Sequence, residues 1–244
     1  MPSSAFRLIL FDIDGTLIST GGRAGRALLR ALRDTYGVDP QVDGYSFSGK
    51  TDPQIVRELL TASGVPAATI EEHRSRALAR YLEYLEKELP PGSVQLLPGV
   101  QAVLDALAVT PGVCLGLLTG NIARGAALKL RAAGLDGFFG FGAFGSDAED
   151  RNLLVPIARE RARRATGLQF AEADTVVVGD AEADIRCARA GRARAVAVAT
   201  GWTPRQVLAA LKPDVVLDSL AAPDALAAIL GDGHPPQAPY SSRL

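Results

Sequence analysis

Asp12 and Asp14, separated by Ile13 and followed by Gly15 and Thr16, are the residues of this chain best placed to do chemistry. They come directly after a short apolar run at 6–11. In extended chain, residues two apart project to the same side, so both carboxylates can point into one site. Two like charges about 4 Å apart repel by about 4 kcal/mol at an effective dielectric near 20. Such a pair needs a cation to neutralise one carboxylate, or a proton that stays on the other. Two turn residues at a strand end are the plainer alternative. Three further features bear on the choice. Leu117-Leu118-Thr119-Gly120-Asn121 ends a second apolar run with a hydroxyl and leads into a helix, whose free N–H groups favour an anion. Gly179-Asp180 ends a third run, and Asp184 follows near the start of the next helix. Taken singly, Thr119 could be a helix cap and Asp184 a first-turn acid facing the helix dipole. Their recurrence at successive strand ends favours one shared site.

The elements that must position these residues can be read from hydrophobic spacing. Continuous apolar runs at 6–11, 113–118, 175–178, 195–199 and 215–217, with a weaker one at 141–144, suit strands buried on both faces. Helical spacing fills the intervals at 100–108, 122–133, 153–166, 183–190 and 204–211. Strands alternating with helices predict an α/β fold, a Rossmann-like doubly wound parallel sheet with right-handed crossovers. In such sheets ligands bind beyond the carboxyl ends of the strands, where the motif residues fall. The interval 19–95 breaks the alternation, with helical patterns at 24–36, 53–62 and 69–89 and no buried strand. It reads as an all-helical domain inserted after the first strand, closed by Pro90-Pro91-Gly92. The expected division is a discontinuous core at 1–18 and 96–230, a helical cap at 19–95, and a flexible tail at 231–244.

Composition narrows the classes further. The chain has 244 residues, 48% of them apolar and 22% charged, enough for a core without disulfides or structural metal. A net charge of −1 gives no global field for nucleic acid or a membrane surface. The arginine-rich runs at 159–164 and 186–194 have acidic companions and no interleaved aromatics, so they read as solvated helix faces. No run is long enough to span a membrane, and the apolar run before Asp12 is too short for a signal peptide. Cys114 and Cys187 read as buried free thiols, which implies a reducing cytoplasm. His73 and His234 are isolated, without metal-ligand spacing.

The motifs FDIDGTL at 11–17, LLTGN at 117–121 and VVGDAEAD at 177–184 together resemble the haloacid dehalogenase (HAD) superfamily, in its phosphoglycolate-phosphatase-like branch. The resemblance covers about 6–18 and 96–230, and the position of the insertion matches that branch's helical cap. It implies that Asp12 is a nucleophile forming an aspartyl-phosphate, and that Asp14 is the acid/base that protonates the leaving oxygen and later deprotonates water. It implies Mg2+ held by Asp12, the Asp14 backbone carbonyl and Asp180, with Asp184 orienting metal-bound water. Thr119, Gly120 and Asn121 would hold phosphoryl oxygens.

The sequence departs from the family where a lysine normally bonds both nucleophile and phosphate. The corresponding stretch at 145–152, GSDAEDRN, has none. Arg151 is the expected substitute, because its fork suits phosphate. Lys129 is the alternative, roughly 10 Å up the helix after Thr119 at 1.5 Å per residue, and so in reach only if that helix turns it inward. In the insertion, Ser48-Gly49-Lys50-Thr51-Asp52 resembles a specificity loop, with Lys50 meeting an anionic substrate group, or else an ordinary helix cap at Thr51 or Asp52. Gly21-Gly22 and the following Arg23 mark a hinge, with substrate contact the lesser reading of Arg23, and Trp202 packs beside a loop at the site's edge. The expected enzyme is a Mg2+-dependent phosphatase for a small phosphorylated metabolite, phosphoglycolate-like or a sugar phosphate, acting as monomer or homodimer. A mutase resembling β-phosphoglucomutase and a catalytically silent phosphate-binding protein are the alternatives. Dehalogenation is disfavoured, since that branch lacks the carboxylate supplied here by Asp14.

Overall fold

The computed structural model describes residues 6–231. His234 and all of the expected tail except Gly231 lie outside them. Six parallel strands form one sheet in the order β5-β4-β1-β6-β7-β8. They are β1 (Arg7–Phe11), β4 (Val113–Thr119), β5 (Gly142–Phe144), β6 (Thr175–Gly179), β7 (Arg194–Val198) and β8 (Val215–Leu217). The helices between them are α4 (Val100–Ala108), α5 (Ala123–Ala133), α6 (Leu154–Thr166), α7 (Glu182–Ala190) and α8 (Arg205–Ala210). A last helix, α9 (Ala225–Leu230), follows β8 and is absent from the sequence reading.

β1 is central because it can be buried on both faces, and all five of its residues are. Alternate side chains feed two apolar layers. Ile9 and Phe11 pack in one layer with Val100, Leu104, Leu130 and Ile229 from α4, α5 and α9. Leu8 and Leu10 pack in the other with Leu154, Ile185 and Leu208 from α6, α7 and α8. From β1 the chain winds to β4 and β5 on one side and to β6, β7 and β8 on the other. The order therefore reverses at β1, and the crevice beyond its carboxyl end is the place for a ligand.

Between Ser19 and Gln95 lie three helices, α1 (Arg23–Tyr36), α2 (Asp52–Ala62) and α3 (Ala67–Glu88). Their apolar faces join the layer of Ile9 and Phe11. Thr51 caps α2 by accepting a hydrogen bond from the Gln54 N–H at 3.2 Å, and Pro53 stands in its first turn. The sequence predicts no buried strand from 19 to 95; the structure adds a short, partly exposed ribbon at the two ends of that interval. β2 (Ile18–Ser19) and β3 (Gln95–Leu96) pair antiparallel at the root of the helical segment. Two residues per strand give too little alternation to register as a pattern, and tertiary pairing makes them strands. Beside this ribbon Gly21 and Gly22 both take positive φ, 59° and 78°, and Arg23 donates to the Ser93 carbonyl at 2.7 Å. Arg23 thus ties the outgoing chain to the returning one.

Trp202 is also a correction: its side chain does not pack but stands 90% exposed. Gly201 is the residue that meets the site. A Cβ there would fall 1.7 Å from Asp180 Oδ2, so the loop presses its backbone inward and turns the indole out.

Candidate active site

The crevice at the carboxyl ends of β1, β4 and β6 gathers the motif residues. Asp12 follows β1 and extends its ladder, its N–H donating to the Val178 carbonyl at 2.9 Å. The chain then turns back: Gly15 adopts φ 85°, and the Leu17 and Ile18 N–H groups both donate to the Ile13 carbonyl. A Cβ on Gly15 would fall 2.5 Å from Asp180, so only glycine lets the turn approach that carboxylate. Thr16 Oγ1 donates to Asp180 Oδ1 at 3.0 Å, and Thr200 Oγ1 donates to the Gly15 carbonyl at 2.7 Å.

Two cations divide the site between them. Arg151, in a 3-10 turn that leads into α6, has Nη2 3.1 Å from Asp12 Oδ1 and also bonded to Asp184 Oδ1. Its other amino group donates to the Gly49 carbonyl at 3.2 Å, while its buried Nε has no partner. Burial is the largest influence on this guanidinium and works against its charge. Asp184 and Asp12 more than offset it and hold the group protonated. Lys129 serves the other carboxylate, with Nζ 2.6 Å from Asp14 Oδ2 and 2.5 Å from Asn121 Oδ1.

Lys129 therefore reaches the site, which the distance estimate placed at the limit. That estimate counted rise from Thr119, but α5 begins only at Ala123. In addition, Cβ bonds tilt toward a helix's N-terminus, so a long side chain covers the turn before its own Cα. A sequence signal existed: Lys129 shares the buried face of α5 with Ala126 and Leu130. A lone cation on an apolar stripe needs a buried partner.

Asp12, Asp180 and Asp184 form a buried group with one oxygen from each within 4.8 Å of the others. Burial, then the charges of Asp184 and Asp12, hold the Asp180 carboxyl well above the usual range. Burial also pushes Asp184 up to about 7, against the pull of Arg151. Converging hard oxygen donors that resist ionisation fit a small divalent cation, which would remove the repulsion. Both Asp184 oxygens already accept protein bonds, from Arg151 and from the Ala181 N–H. Asp12 and Asp180 are the better direct ligands.

Segment 49–52 of the helical region lies directly on the site. The Asp52 N–H donates to the Gly120 carbonyl at 2.7 Å, and Asp52 Oδ2 accepts from the Ile122 N–H at 2.8 Å, ahead of α5. Thr51 Oγ1 donates to the Glu149 carbonyl at 2.9 Å. A Cβ on Gly120 would sit 2.0 Å from the Lys50 carbonyl oxygen, so the two backbones touch. Lys50 brings this backbone to the site but commits its ammonium elsewhere, 2.7 Å from Glu58 and 3.9 Å from the Tyr45 ring centre. The sequence reading treated Asp52 only as a possible cap of its own helix and gave Thr16 no role. Asp52's partners are 70 residues away, beyond any local pattern.

The sequence matches the haloacid dehalogenase-like hydrolase family over residues 9–198. The chain belongs to that family. It is 31% identical to the phosphoglycolate phosphatase of Synechococcus elongatus, across 86% of this chain and 92% of that protein. With the phosphoglycolate phosphatase of Salmonella typhi it shares 25% identity over 87% of this chain and 89% of that one. Among solved structures, CbbY from Rhodobacter sphaeroides in complex with phosphate has the same fold, with a TM-score of 0.67 at 22% identity, covering 92% of this chain and 99% of that chain. This HAD hydrolase thus falls in the phosphoglycolate-phosphatase-like branch. Among its described residues no helix is long and apolar enough to cross a membrane. Cys114 and Cys187 are free and buried, and burial pushes their thiols up to about 11 and about 12.

Proposed function

We propose that this HAD hydrolase is a Mg2+-dependent phosphomonoesterase that works through a phosphoryl group carried on Asp12. The observation that carries the reading is the setting of Asp12, a buried carboxylate 3.1 Å from Arg151 and grouped with Asp180 and Asp184. A carboxylate so placed is held still and charge-balanced, as a nucleophile must be. Mg2+ bound by Asp12 and Asp180, with Asp184 behind it, would supply positive charge against the phosphate dianion.

The chain's own groups do the rest. Arg151 fixes Asp12 and offers its unpartnered Nε to a phosphoryl oxygen. Thr119 Oγ1 accepts from the Asn121 amide at 2.8 Å, which turns its hydroxyl proton outward to a second oxygen. Asp14, held by Asn121 and Lys129, gives its proton to the leaving oxygen and then takes one from water. The helical segment at 19–95 serves as a cap, because segment 49–52 covers the strand ends and excludes solvent.

The names of the relatives support a small substrate such as phosphoglycolate. The buried thiols suit a reducing cytoplasm. A panel of metabolite phosphates assayed for inorganic phosphate release with and without Mg2+ tests the reading. Release that needs Mg2+ and stops in Asp12→Asn is expected. Interconversion of phosphate isomers without release would make the enzyme a mutase. No turnover of any kind would make it a silent binder.

A further inference from the structure

The cation beside Asp14 has a task of its own, separate from that of Arg151 beside Asp12. Lys129 is almost fully buried, with 4% of its side chain exposed, and its ammonium can only donate. It donates to Asn121 Oδ1, which fixes the orientation of that amide. The amide nitrogen, so directed, donates to Asp14 Oδ2 at 2.7 Å and to Thr119 Oγ1 at 2.8 Å. Lys129 adds its own bond to the same Asp14 oxygen at 2.6 Å. Two donors therefore converge on Oδ2, and among the described residues Oδ1 has no partner. The Asp14 side chain is 40% exposed, so this second oxygen has access to the cleft.

We propose that Lys129 is a positioning residue for the acid/base: through Asn121 and directly, it clamps Asp14 by Oδ2 and leaves Oδ1 to carry the mobile proton. The inference rests on the phosphatase reading above. In the first step the Asp12 oxygen–phosphorus bond forms as the bond from phosphorus to the leaving oxygen breaks, and the proton on Asp14 Oδ1 passes to that oxygen. In the second step water's oxygen bonds phosphorus, the Asp12–phosphorus bond breaks, and a water proton returns to Asp14 Oδ1. Because donors fill Oδ2, Oδ1 is the oxygen of the group left facing the cleft.

Wild type and Lys129→Met can be compared on p-nitrophenyl phosphate, whose leaving group needs no proton, and on glycerol phosphate, whose leaving group does. With enzyme in excess, nitrophenolate release by Lys129→Met should stay within about 3-fold of wild type, while its steady-state turnover falls about 100-fold for want of the base. On glycerol phosphate the first turnover itself should slow about 100-fold. An equal loss in every measurement would mean a merely structural lysine and would overturn the proposal. So would steady-state turnover within about 3-fold of wild type. Lys129→Gln keeps an N–H donor without the charge and covers the case in which methionine unfolds the protein. It should show the same split with smaller losses, and parallel losses there also overturn the proposal. A wild type that releases nitrophenolate without phosphorylating Asp12 defeats the phosphatase mechanism itself, which separates the two failures.

Discussion

Individual side chains at this site trade stability for chemistry. Asp12, Asp180 and Asp184 are buried together, and the two latter resist ionisation because of burial and mutual repulsion. Asp180→Asn removes one charge at nearly constant shape, and should raise stability by about 1–2 kcal/mol in Mg2+-free buffer at neutral pH. It should also abolish the rise in melting temperature expected when Mg2+ is added to the wild type. Thermal melts with and without Mg2+ check both, and an unchanged Mg2+ response would remove Asp180 from the metal site. The metal response has a pH sign as well. Burial pushes the Asp184 carboxyl up to about 7, so Mg2+ must compete with protons for these carboxyls. The Mg2+-induced shift should be larger at pH 8 than at pH 6, and equal shifts would contradict the electrostatics. At this scale the acids were legible in the sequence because motif and strand end coincide. The cations were only half legible: Arg151 was expected at Asp12, but Lys129 was measured along the helix axis when the reach of its side chain mattered.

Among the elements, segment 49–52 has the most consequence, because it joins the helical insertion to the strand ends. Asp52 is its anchor, and burial, partly offset by Lys129, raises its carboxyl from 3.8 to about 6. A carboxyl whose pKa is higher folded than unfolded holds its proton more tightly when folded. Its stabilising contribution is whole below about pH 4 and is lost as pH rises through 6. Two units correspond to about 3 kcal/mol lost by neutral pH. Asp52→Asn keeps an acceptor for the Ile122 N–H and does not titrate. The stability of wild type relative to Asp52→Asn should therefore fall between pH 4 and pH 7, as read by urea midpoints, and parallel curves would contradict it. Gly120→Ala tests the same contact from the core side. Its Cβ would meet the Lys50 carbonyl oxygen at 2.0 Å, which is backbone and cannot swing away. A loss of about 1–3 kcal/mol in stability is expected, and an unchanged melting temperature would show that the segment is not docked in solution. Periodicity found the helices and strands that pack against a continuous core. It missed β2, β3 and α9, which are short and are decided by their neighbours rather than by their own pattern.

The molecule as a whole was legible because each level of the sequence agrees with the next. The central strand is apolar throughout, alternation with helices gives the parallel sheet, and the sheet's reversal at β1 puts Asp12 in the crevice. Contacts between distant segments, such as Asp52 with Ile122 or Thr51 with Glu149, left no trace in local spacing. They hold segment 49–52 of the helical region against the strand ends. The central claim, however, concerns one covalent bond, between an Asp12 oxygen and phosphorus. It is tested most directly by quenching wild type during turnover with Mg2+ and a phosphomonoester, then mapping the covalent phosphoryl group by mass spectrometry. A phosphoryl group on the peptide containing Asp12, absent from Asp12→Asn, is the predicted result. Turnover with no acyl-phosphate on that peptide, or undiminished turnover by Asp12→Asn, would contradict the account.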